Sequence, residues 1–286
     1  MQQARDQPAN HHEITLSVIA PAHNEEDNIP PLTDQVEAAL LTLAANHPDR
    51  FPAAINSAEF ILADDGSTDA TLNIANQLAA SRPWLRVITM TNTPPGTGNG
   101  QSAAFHAAIR AARGNHIATL DADLQNDPAD IPALYAALLQ NDAHMVQGDR
   151  SHARKDTAVR RYGSIVGRTF RKLLLRDTIR DTGCSLRIMH RDIALNLPLS
   201  FKGMHRFIPV TARHLGYTVI EQPVNHRPRT AGQTKYGMGI TKRAIPGLID
   251  CFAVRWMHAR RRPTNASETT PNPNNPTNQP DASTNA

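Results

Sequence analysis

Two carboxylates one residue apart, Asp121 and Asp123, are the side chains of this chain best suited to bind a metal ion. They directly follow a short apolar run at 116–120, so the chain can turn both toward one hard cation as it leaves a sheet. Gln125 offers a third oxygen ligand two residues further on. Mg²⁺ or Mn²⁺ bound there would neutralise negative charge that develops on phosphate oxygens. The pattern by itself also fits two acidic residues that merely cap the next helix near Pro128.

A second acidic pair, Asp64 and Asp65, ends another apolar run and is followed by Gly66 and Ser67. A carboxylate there can accept a hydrogen bond from the N–H of a nucleotide base, and the glycine permits a sharp turn. Asp-Gly-Ser is equally ordinary turn and N-cap chemistry, so both interpretations stay open.

Glycines at positions 96, 98 and 100 make the segment 94–100 the most glycine-rich loop of the chain. The segment lacks the Lys-Ser/Thr pair of a P-loop, and its glycines miss the third position of the dinucleotide fingerprint. It is either a backbone cradle near a nucleotide or a plain surface loop.

These motifs lie within a regular alternation of short apolar runs and helical patterns. The predicted strands are 15–20, 59–63, 85–90 and 116–120, and the predicted helices are 29–45, about 67–81 and 101–113. Such alternation predicts an α/β fold with a mostly parallel central sheet flanked by helices, whose ligands bind beyond the carboxyl ends of the strands. Both acidic motifs fall at those ends.

The net charge of +4 hides a strong difference between the two halves of the chain. Residues 1–149 carry 6 Lys/Arg and 18 Asp/Glu, a net −12, whereas residues 150–262 carry 24 Lys/Arg and 6 Asp/Glu, a net +18. The acidic half suits a cation and the basic half suits anions. Phosphates, an anionic membrane face and nucleic acid would all be attracted to the basic half, and charge does not choose among them.

The basic half contains two predicted amphipathic helices. The first carries basic and polar residues at helical spacing: Arg160, Arg161, Ser164, Arg168 and Lys172. The second spans 246–262 and combines an apolar stripe with terminal arginines: Leu248, Ile249, Phe252, Trp256 and Arg260 to Arg262. Trp beside arginines suits a bilayer interface, while a solvated face over a core stripe is the ordinary alternative.

Length and composition predict one sizeable core in a chain of 286 residues. Cys184 and Cys251 have neither metal-ligand spacing nor a disulfide framework, and 1–13 lacks the apolar core of a signal peptide, so we expect a cytoplasmic location. The chain contains no run of about 18 apolar residues, the length that a membrane-spanning helix needs. We expect disorder in 1–13 and in the Pro/Asn/Thr-rich tail 263–286.

Seven segments, in order from about residue 14 to residue 262, resemble the polyprenyl-phosphate branch of glycosyltransferase family 2, which includes dolichol-phosphate mannose synthase. They are SVIAPAHNEEDNIP, ILADDGSTD, GNGQSAAFHAAIRAARG, IATLDADLQNDP, GDRS, RDTGCSLR and EQPVNHRPRTAGQTKYG. Each segment alone is modest evidence, whereas seven in the correct order are specific. The chain departs from the family pattern at four points. His23 stands where many members carry Tyr or another residue, Thr234 replaces the common Ser, and the glycine loop lacks a basic residue that is often present. Many bacterial members also carry C-terminal transmembrane helices, where this sequence has only the amphipathic segment and a polar tail.

The resemblance implies a GT-A, Rossmann-like domain at 14–240, with a donor and metal half at 14–149 and an acceptor half at 150–240. A basic amphipathic helix at 241–262 would then lie at the membrane interface. The implied donor-binding residues are Pro21, Ala22, Asn24, Glu25, Asp65, Gly100, Asp121 and Lys235. The implied metal ligands are Asp121, Asp123 and Gln125, the acceptor-phosphate residues are Arg150, Arg160 and Ser164, and the catalytic residues are Asp123, Arg150, Arg229 and Asp181.

The implied reaction is an inverting, metal-dependent transfer of a sugar from a GDP- or UDP-sugar to a polyprenyl phosphate. The protein would act as a peripheral protein on the inner face of the cytoplasmic membrane, with no nucleic-acid partner. An acceptor phosphate is already anionic at pH 7, so no strong general base is needed. Arginine suits such an acceptor because its planar fork binds phosphate in a bidentate manner.

Three other functions remain open from the sequence. A family 2 enzyme that acts on a saccharide or other hydroxyl acceptor would need a carboxylate base, for which Asp181 is the candidate. A haloacid-dehalogenase-type phosphatase would use the strand-D-x-D motif but leaves the segment at 226–237 unexplained. A non-catalytic protein with an inactive donor fold would bind membranes or nucleic acid through its basic half.

Overall fold

The computed structural model describes residues 14–93, 96–152, 167, 169–228 and 240–262. The predicted disordered ends at 1–13 and 263–286 lie outside the described residues. Four predicted site residues also lie outside the described residues: Arg160, Ser164, Arg229 and Lys235.

The described residues contain seven strands and seven α-helices that are numbered here. The strands are β1 (Leu16–Ala22), β2 (Ala58–Asp64), β3 (Leu85–Thr89), β4 (His116–Thr119), β5 (Met145–Asp149), β6 (Arg187–His190) and β7 (Val219–Pro223). The helices are α1 (Ile29–Asn46), α2 (Thr71–Ala79), α3 (Gln101–Ala111), α4 (Ile131–Gln140), α5 (Arg191–Asn196), α6 (Ile208–His214) and α7 (Ile240–Arg260). Residues 169–175 are also helical.

The strands form one sheet in the order β3-β2-β1-β4-β6-β5-β7. Six of the seven strands pair in parallel with at least one neighbour, namely β1, β2, β3, β4, β5 and β7. The remaining strand, β6, runs antiparallel to both β4 and β5. The predicted α/β fold with a mostly parallel central sheet is therefore confirmed. Because β6 is reversed, its first residue, Arg187, lies beside Thr119 at the carboxyl end of β4.

Both faces of the sheet are buried, as near-continuous apolar strands require. Leu16, Val18 and Ala20 of β1 belong to a core shared with α1, α2 and α4, whereas Ile19 belongs to a second core shared with α3, α5, α6 and α7. Side chains alternate across a strand, so one run of apolar residues serves two layers of helices. The result is a three-layer arrangement with the sheet in the middle.

The predicted strand and helix positions agree with the structure to within a few residues. The C-terminal helix, predicted from Pro246, instead begins at Ile240 and contains Pro246 in its interior. Proline removes one backbone hydrogen bond, and the rest of a 21-residue helix tolerates the loss. Among the residues that the structure describes, none of the helices is both long and apolar enough to cross a bilayer.

Gly114, between α3 and β4, packs directly on the backbone of β1. A Cβ atom at this position would lie 2.5 Å from the backbone nitrogen of Ser17 and 2.7 Å from the carbonyl carbon of Leu16. The Gly114 N–H also donates to the Ser17 Oγ at 2.8 Å. Backbone atoms in a central strand cannot move aside as a flexible side chain can.

We expect Gly114→Ala to lower the free energy of unfolding by about 1–3 kcal/mol, the usual cost of overpacking. Urea denaturation followed by circular dichroism measures the change. Gly247→Ala is the matched control, because a Cβ atom on Gly247 of α7 would have nothing within 4 Å. Equal stability of both variants would contradict the close packing of Gly114.

Candidate active site

Asp65 follows the carboxyl end of β2 and is held by the glycine-rich loop. Its carboxylate accepts hydrogen bonds from the backbone N–H of Asn99 at 2.8 Å and of Gly100 at 2.7 Å. A Cβ atom on Gly98 would lie 2.8 Å from the Asp65 Oδ2, and Gly98 has a φ of +63°. Only glycine fits both the space and that backbone angle. The loop is therefore a cradle around Asp65 and not a plain surface loop.

The residues after β1 are tied to those after β2. Asn24, in the left-handed region at φ 54°, accepts from the Thr68 N–H through its Oδ1 at 2.8 Å. The backbone N–H of Glu25 donates to the Thr71 Oγ1 at 2.8 Å. Ala22 accepts from the Asp65 N–H at 2.9 Å. These contacts place the predicted donor-binding residues of both loops at the same edge of the sheet.

Asp121 and Asp123 lie just beyond the carboxyl end of β4. Asp121 accepts from the Ser185 hydroxyl at 2.6 Å and from the Gln101 side-chain amide at 2.5 Å. Asp123 accepts from the backbone N–H of Gln125 at 3.2 Å. The donors to Asp121 are neutral groups, so they orient its carboxylate without cancelling its charge.

Burial and the neighbouring charge of Asp123 raise the pKa of Asp121 to about 6. Two carboxylates that repel each other at a half-buried edge are stabilised by a cation between them. Among the described residues no cluster of three His, Cys, Asp or Glu side chains has metal-binding geometry. Asp121, Asp123 and Gln125 nevertheless supply the oxygen ligands that a hard cation prefers, and a phosphate or water would supply the others.

Arg150 and Asp181 form a buried ion pair beside these carboxylates. The Arg150 Nε donates to the Asp181 Oδ2 at 2.8 Å and its Nη2 donates to the Oδ1 at 3.3 Å. Both residues are at most 6% exposed. Burial opposes the charge of Arg150, yet the hydrogen bonds and charge of Asp181 hold its pKa above the ordinary arginine value. The two predicted catalytic residues are therefore brought together as partners.

The structure adds Arg187 and His205, which were not singled out from the sequence. Arg187 is 3% exposed and donates through Nη1 to the backbone oxygen of His205 at 3.2 Å. Burial lowers its pKa to about 10. The His205 Nδ1 lies 2.8 Å from the Ser102 Oγ, and burial together with the charges of Arg206 and Arg187 lowers the pKa of His205 to about 3. His205 is thus a neutral hydrogen-bonding group at neutral pH.

The chain after β7 returns to the segment that contains the predicted metal ligands. Asn126 and His226 form an antiparallel bridge, and the Arg227 N–H donates to the Gln125 backbone oxygen at 3.0 Å. The Arg227 guanidinium contacts Asp127 at 2.5 Å. The basic segment that begins at His226 therefore starts next to Gln125.

The described members of the predicted site converge on one edge of the sheet. They are Pro21, Ala22, Asn24, Glu25, Asp65, Gly100, Asp121, Asp123, Gln125, Arg150 and Asp181. Sequence reasoning missed Gln101, Ser102, Ser185, Arg187 and His205. Ser185 and Arg187 lie inside the quoted segment RDTGCSLR, which was the available signal for both.

The described fold is the GT-A fold of glycosyltransferases. Glucosyl-3-phosphoglycerate synthase from Mycobacterium tuberculosis, solved with Mn²⁺ and UDP, superposes with a TM-score of 0.60 at 19% identity, over 85% of this chain and 79% of that one. A mannosyltransferase from Pyrobaculum calidifontis, solved with GDP-Man and Mn²⁺, gives a TM-score of 0.50 at 19% identity, over 73% and 54%. At such identities the likeness establishes the fold.

Residues 17–197 match the model of Glycosyl transferase family 2, and the chain belongs to this family and is a glycosyltransferase. Dodecaprenyl-phosphate galacturonate synthase of Rhizobium johnstonii is 34% identical over 87% of this chain and 69% of its own. Undecaprenyl-phosphate 4-deoxy-4-formamido-L-arabinose transferase of Pseudomonas fluorescens is 33% identical over 83% and 64%. The chain thus spans about two thirds of the length of these relatives.

We expect Mn²⁺ to raise the thermal unfolding temperature at about pH 8, with a gain that shrinks as the pH falls through about 6. The pKa of Asp121 lies above its ordinary 3.8, so below about pH 6 a proton competes with the cation. Differential scanning fluorimetry with and without Mn²⁺ measures the gain. Asp121→Asn should show little gain at any pH. An equal gain for the wild type at about pH 5 and 8 would contradict the assignment.

We expect Asp181→Asn to lower the free energy of unfolding by about 3–5 kcal/mol, because it leaves the buried Arg150 charge without its partner. The double variant Arg150→Met/Asp181→Leu should recover most of that loss. Asp34→Asn is the control, since Asp34 is 66% exposed in its pair with Arg82 and should cost about 1 kcal/mol or less. Chemical denaturation of the four proteins distinguishes a buried pair from a surface one.

Proposed function

We propose that this glycosyltransferase moves a sugar from a UDP- or GDP-sugar to a polyprenyl phosphate, with inversion at the anomeric carbon and with Mg²⁺ or Mn²⁺ as cofactor. One observation carries the proposal. The segment 99–101 donates to Asp65 through two backbone N–H groups and to Asp121 through the Gln101 side chain. A nucleotide-recognition carboxylate and a metal-binding carboxylate are thereby held at a fixed spacing along one edge of the sheet.

The base of the donor is assigned to the cradle around Asp65. A carboxylate has about four acceptor positions, of which the two loop N–H groups and the Thr93 hydroxyl, at 3.4 Å, occupy three. The N–H of a uracil or guanine base can donate to a remaining position. Pro21, Ala22, Asn24 and Glu25 form the wall of this cradle from the β1 side.

The diphosphate of the donor is assigned to Asp121, Asp123 and Gln125 through the metal ion. When bound, Mg²⁺ or Mn²⁺ supplies positive charge that stabilises the departing nucleoside diphosphate. Ser185 and Gln101 keep the Asp121 carboxylate oriented by hydrogen bonds to its two oxygens. Arg187 adds buried positive charge near Asp121.

The acceptor phosphate is assigned to Arg150 together with Arg160 and Ser164 of the basic half, while Arg229 and Lys235 are assigned to the diphosphate of the donor. Arg150 is held by Asp181 with its guanidinium oriented, which favours a positioning role for Asp181 over a role as general base. A phosphate oxygen is already anionic, so in-line attack on the anomeric carbon needs no such base. Names of the relatives, which specify dodecaprenyl and undecaprenyl phosphate, support this class of acceptor.

We place the enzyme at the inner face of the cytoplasmic membrane as a peripheral protein, where a polyprenyl phosphate is available. Residues 241–262 carry 6 Lys/Arg and one acidic residue, a composition that favours an anionic surface. Hydrophobic residues of the same helix are exposed, including Trp256 at 63%. Both properties are those of an interfacial helix.

The test is incubation of the purified chain with UDP- and GDP-sugars, a short-chain water-soluble polyprenyl phosphate and Mn²⁺. We expect a sugar–phospholipid product of inverted configuration and about a 100-fold or larger loss of kcat/KM in Asp123→Asn. Asp49→Asn is the control and should keep full activity, because Asp49 is an exposed acidic residue after α1 and outside the predicted site. Absence of product with every donor, or transfer to a hydroxyl acceptor instead, would refute the proposed acceptor.

A further inference from the structure

Large hydrophobic side chains cluster on the outer surface of the C-terminal half. The group consists of Leu173, Leu248, Ile249, Phe252 and Trp256, each between 41% and 78% exposed, and it is called the apolar patch below. Four of its members lie on α7 and Leu173 lies on the helical residues 169–175. Exposed apolar groups of this size on neighbouring elements mark an interaction surface more often than a solvent-facing one.

The two elements of the apolar patch are fixed to each other and to the body of the protein. The Phe170 and Phe252 rings meet edge to face at 5.9 Å. Arg255 of α7 donates through Nη1 to the Leu174 backbone oxygen at 2.9 Å, where the helical residues 169–175 end. On α7 His258 stacks on His214 of α6 at 4.0 Å. The apolar patch is therefore a preformed surface whose two elements pack against each other and against α6.

A cavity of about 320 Å³ opens between these elements. Its apolar lining residues are Leu174, Leu175 and Ala259, and its other described lining residues are two arginines, Arg176 and Arg255, and two histidines, His214 and His258. Burial lowers the pKa of His214, so the two arginines carry the fixed positive charge of the cavity. None of the described lining residues is acidic. A cavity of this size and charge suits an anion such as a phosphate diester.

Arg176 occupies a backbone position that favours glycine. It follows the last residue of the helical stretch 169–175 and has a φ of +54°, the left-handed conformation that ends many helices. Glycine adopts this conformation without strain, whereas arginine pays for it. The side chain retained at that cost lines the cavity.

We propose that the cavity binds the phosphate headgroup of an anionic phospholipid while the apolar patch enters the interface of the same leaflet. Tryptophan lies at headgroup depth in bilayers, and arginines there contact phosphate. The cavity is separate from the acceptor site, because α6 begins at Ile208, three residues after His205, and ends at His214 in the cavity, about 10 Å further along the helix. The inference rests on the proposed membrane location.

The headgroup site is tested by cosedimentation of the full chain with vesicles of phosphatidylglycerol mixed with phosphatidylcholine, and with phosphatidylcholine alone. We expect binding to the anionic vesicles that falls about fivefold in Arg176→Gly. This variant also relieves backbone strain, so weaker binding cannot be attributed to misfolding. Arg110→Gln is the charge-matched control, because Arg110 is an exposed arginine on α3. Equal binding of Arg176→Gly and wild type would overturn the headgroup site.

The apolar patch is tested in the same assay by the double variant Ile249→Ser/Trp256→Ser, which should lose binding to anionic vesicles by 10-fold or more. Leu41→Ser is the control, because Leu41 of α1 is 50% exposed and lies outside the patch. Wild-type binding by the double variant would overturn the proposal, as would equal binding to both kinds of vesicle.

Two further measurements distinguish a lipid site from a site for free phosphate, and failure of the membrane proposal from failure of the proposed reaction. Inorganic phosphate should not displace the protein from anionic vesicles at matched ionic strength, and displacement would show a soluble-anion site in place of a lipid site. Transfer to the water-soluble acceptor should be unchanged in Arg176→Gly and in Ile249→Ser/Trp256→Ser. A loss of that transfer would contradict a site devoted to membrane binding, whereas vesicle binding without transfer in the wild type would refute only the proposed reaction.

Discussion

Repulsion between two neighbouring carboxylates, Asp121 and Asp123, is the constraint on which the rest of the site depends. The pair lies where β4 ends, among buried residues, and burial with mutual repulsion raises the pKa of Asp121 to about 6. Neutral donors from Ser185 and Gln101 fix the geometry but leave the charge in place. Arg150 and Arg187 offset part of this cost, and a bound cation would offset more of it, which favours cation binding.

The reversed strand β6 joins the acidic and the basic half of the chain. A parallel strand in its position would place its first residue at the opposite edge of the sheet, away from the carboxylates. The antiparallel register instead sets Arg187 opposite Thr119 and brings the residues just before it, including Ser185, beside Asp121. One change of strand direction is therefore enough to bring the charge of the second half to the site of the first.

The local sequence pattern predicted most of this fold, because short apolar runs that alternate with helical patterns indicate a sheet with helices on both faces. Asp65 and Asp121 were placed correctly since each directly follows its strand. The contacts that complete the site join distant residues: Ser185 is 64 positions from Asp121, and His205 is 103 positions from Ser102. They depend on the register of β6 and on where α6 begins, which no local pattern specifies. The same holds for the Arg150–Asp181 pair, whose members were both predicted but not as partners.

The three residues 99–101 link Asp65, to which we assign the nucleotide base, with Asp121, to which we assign the metal ion. Two of them hold Asp65 through main-chain N–H groups, and Gln101 holds Asp121 through its amide. A shift of this segment that changes one carboxylate also changes the other. In thermodynamic terms the two proposed ligands would then be coupled: the factor by which the cation raises the affinity for the nucleotide equals the factor by which the nucleotide raises the affinity for the cation.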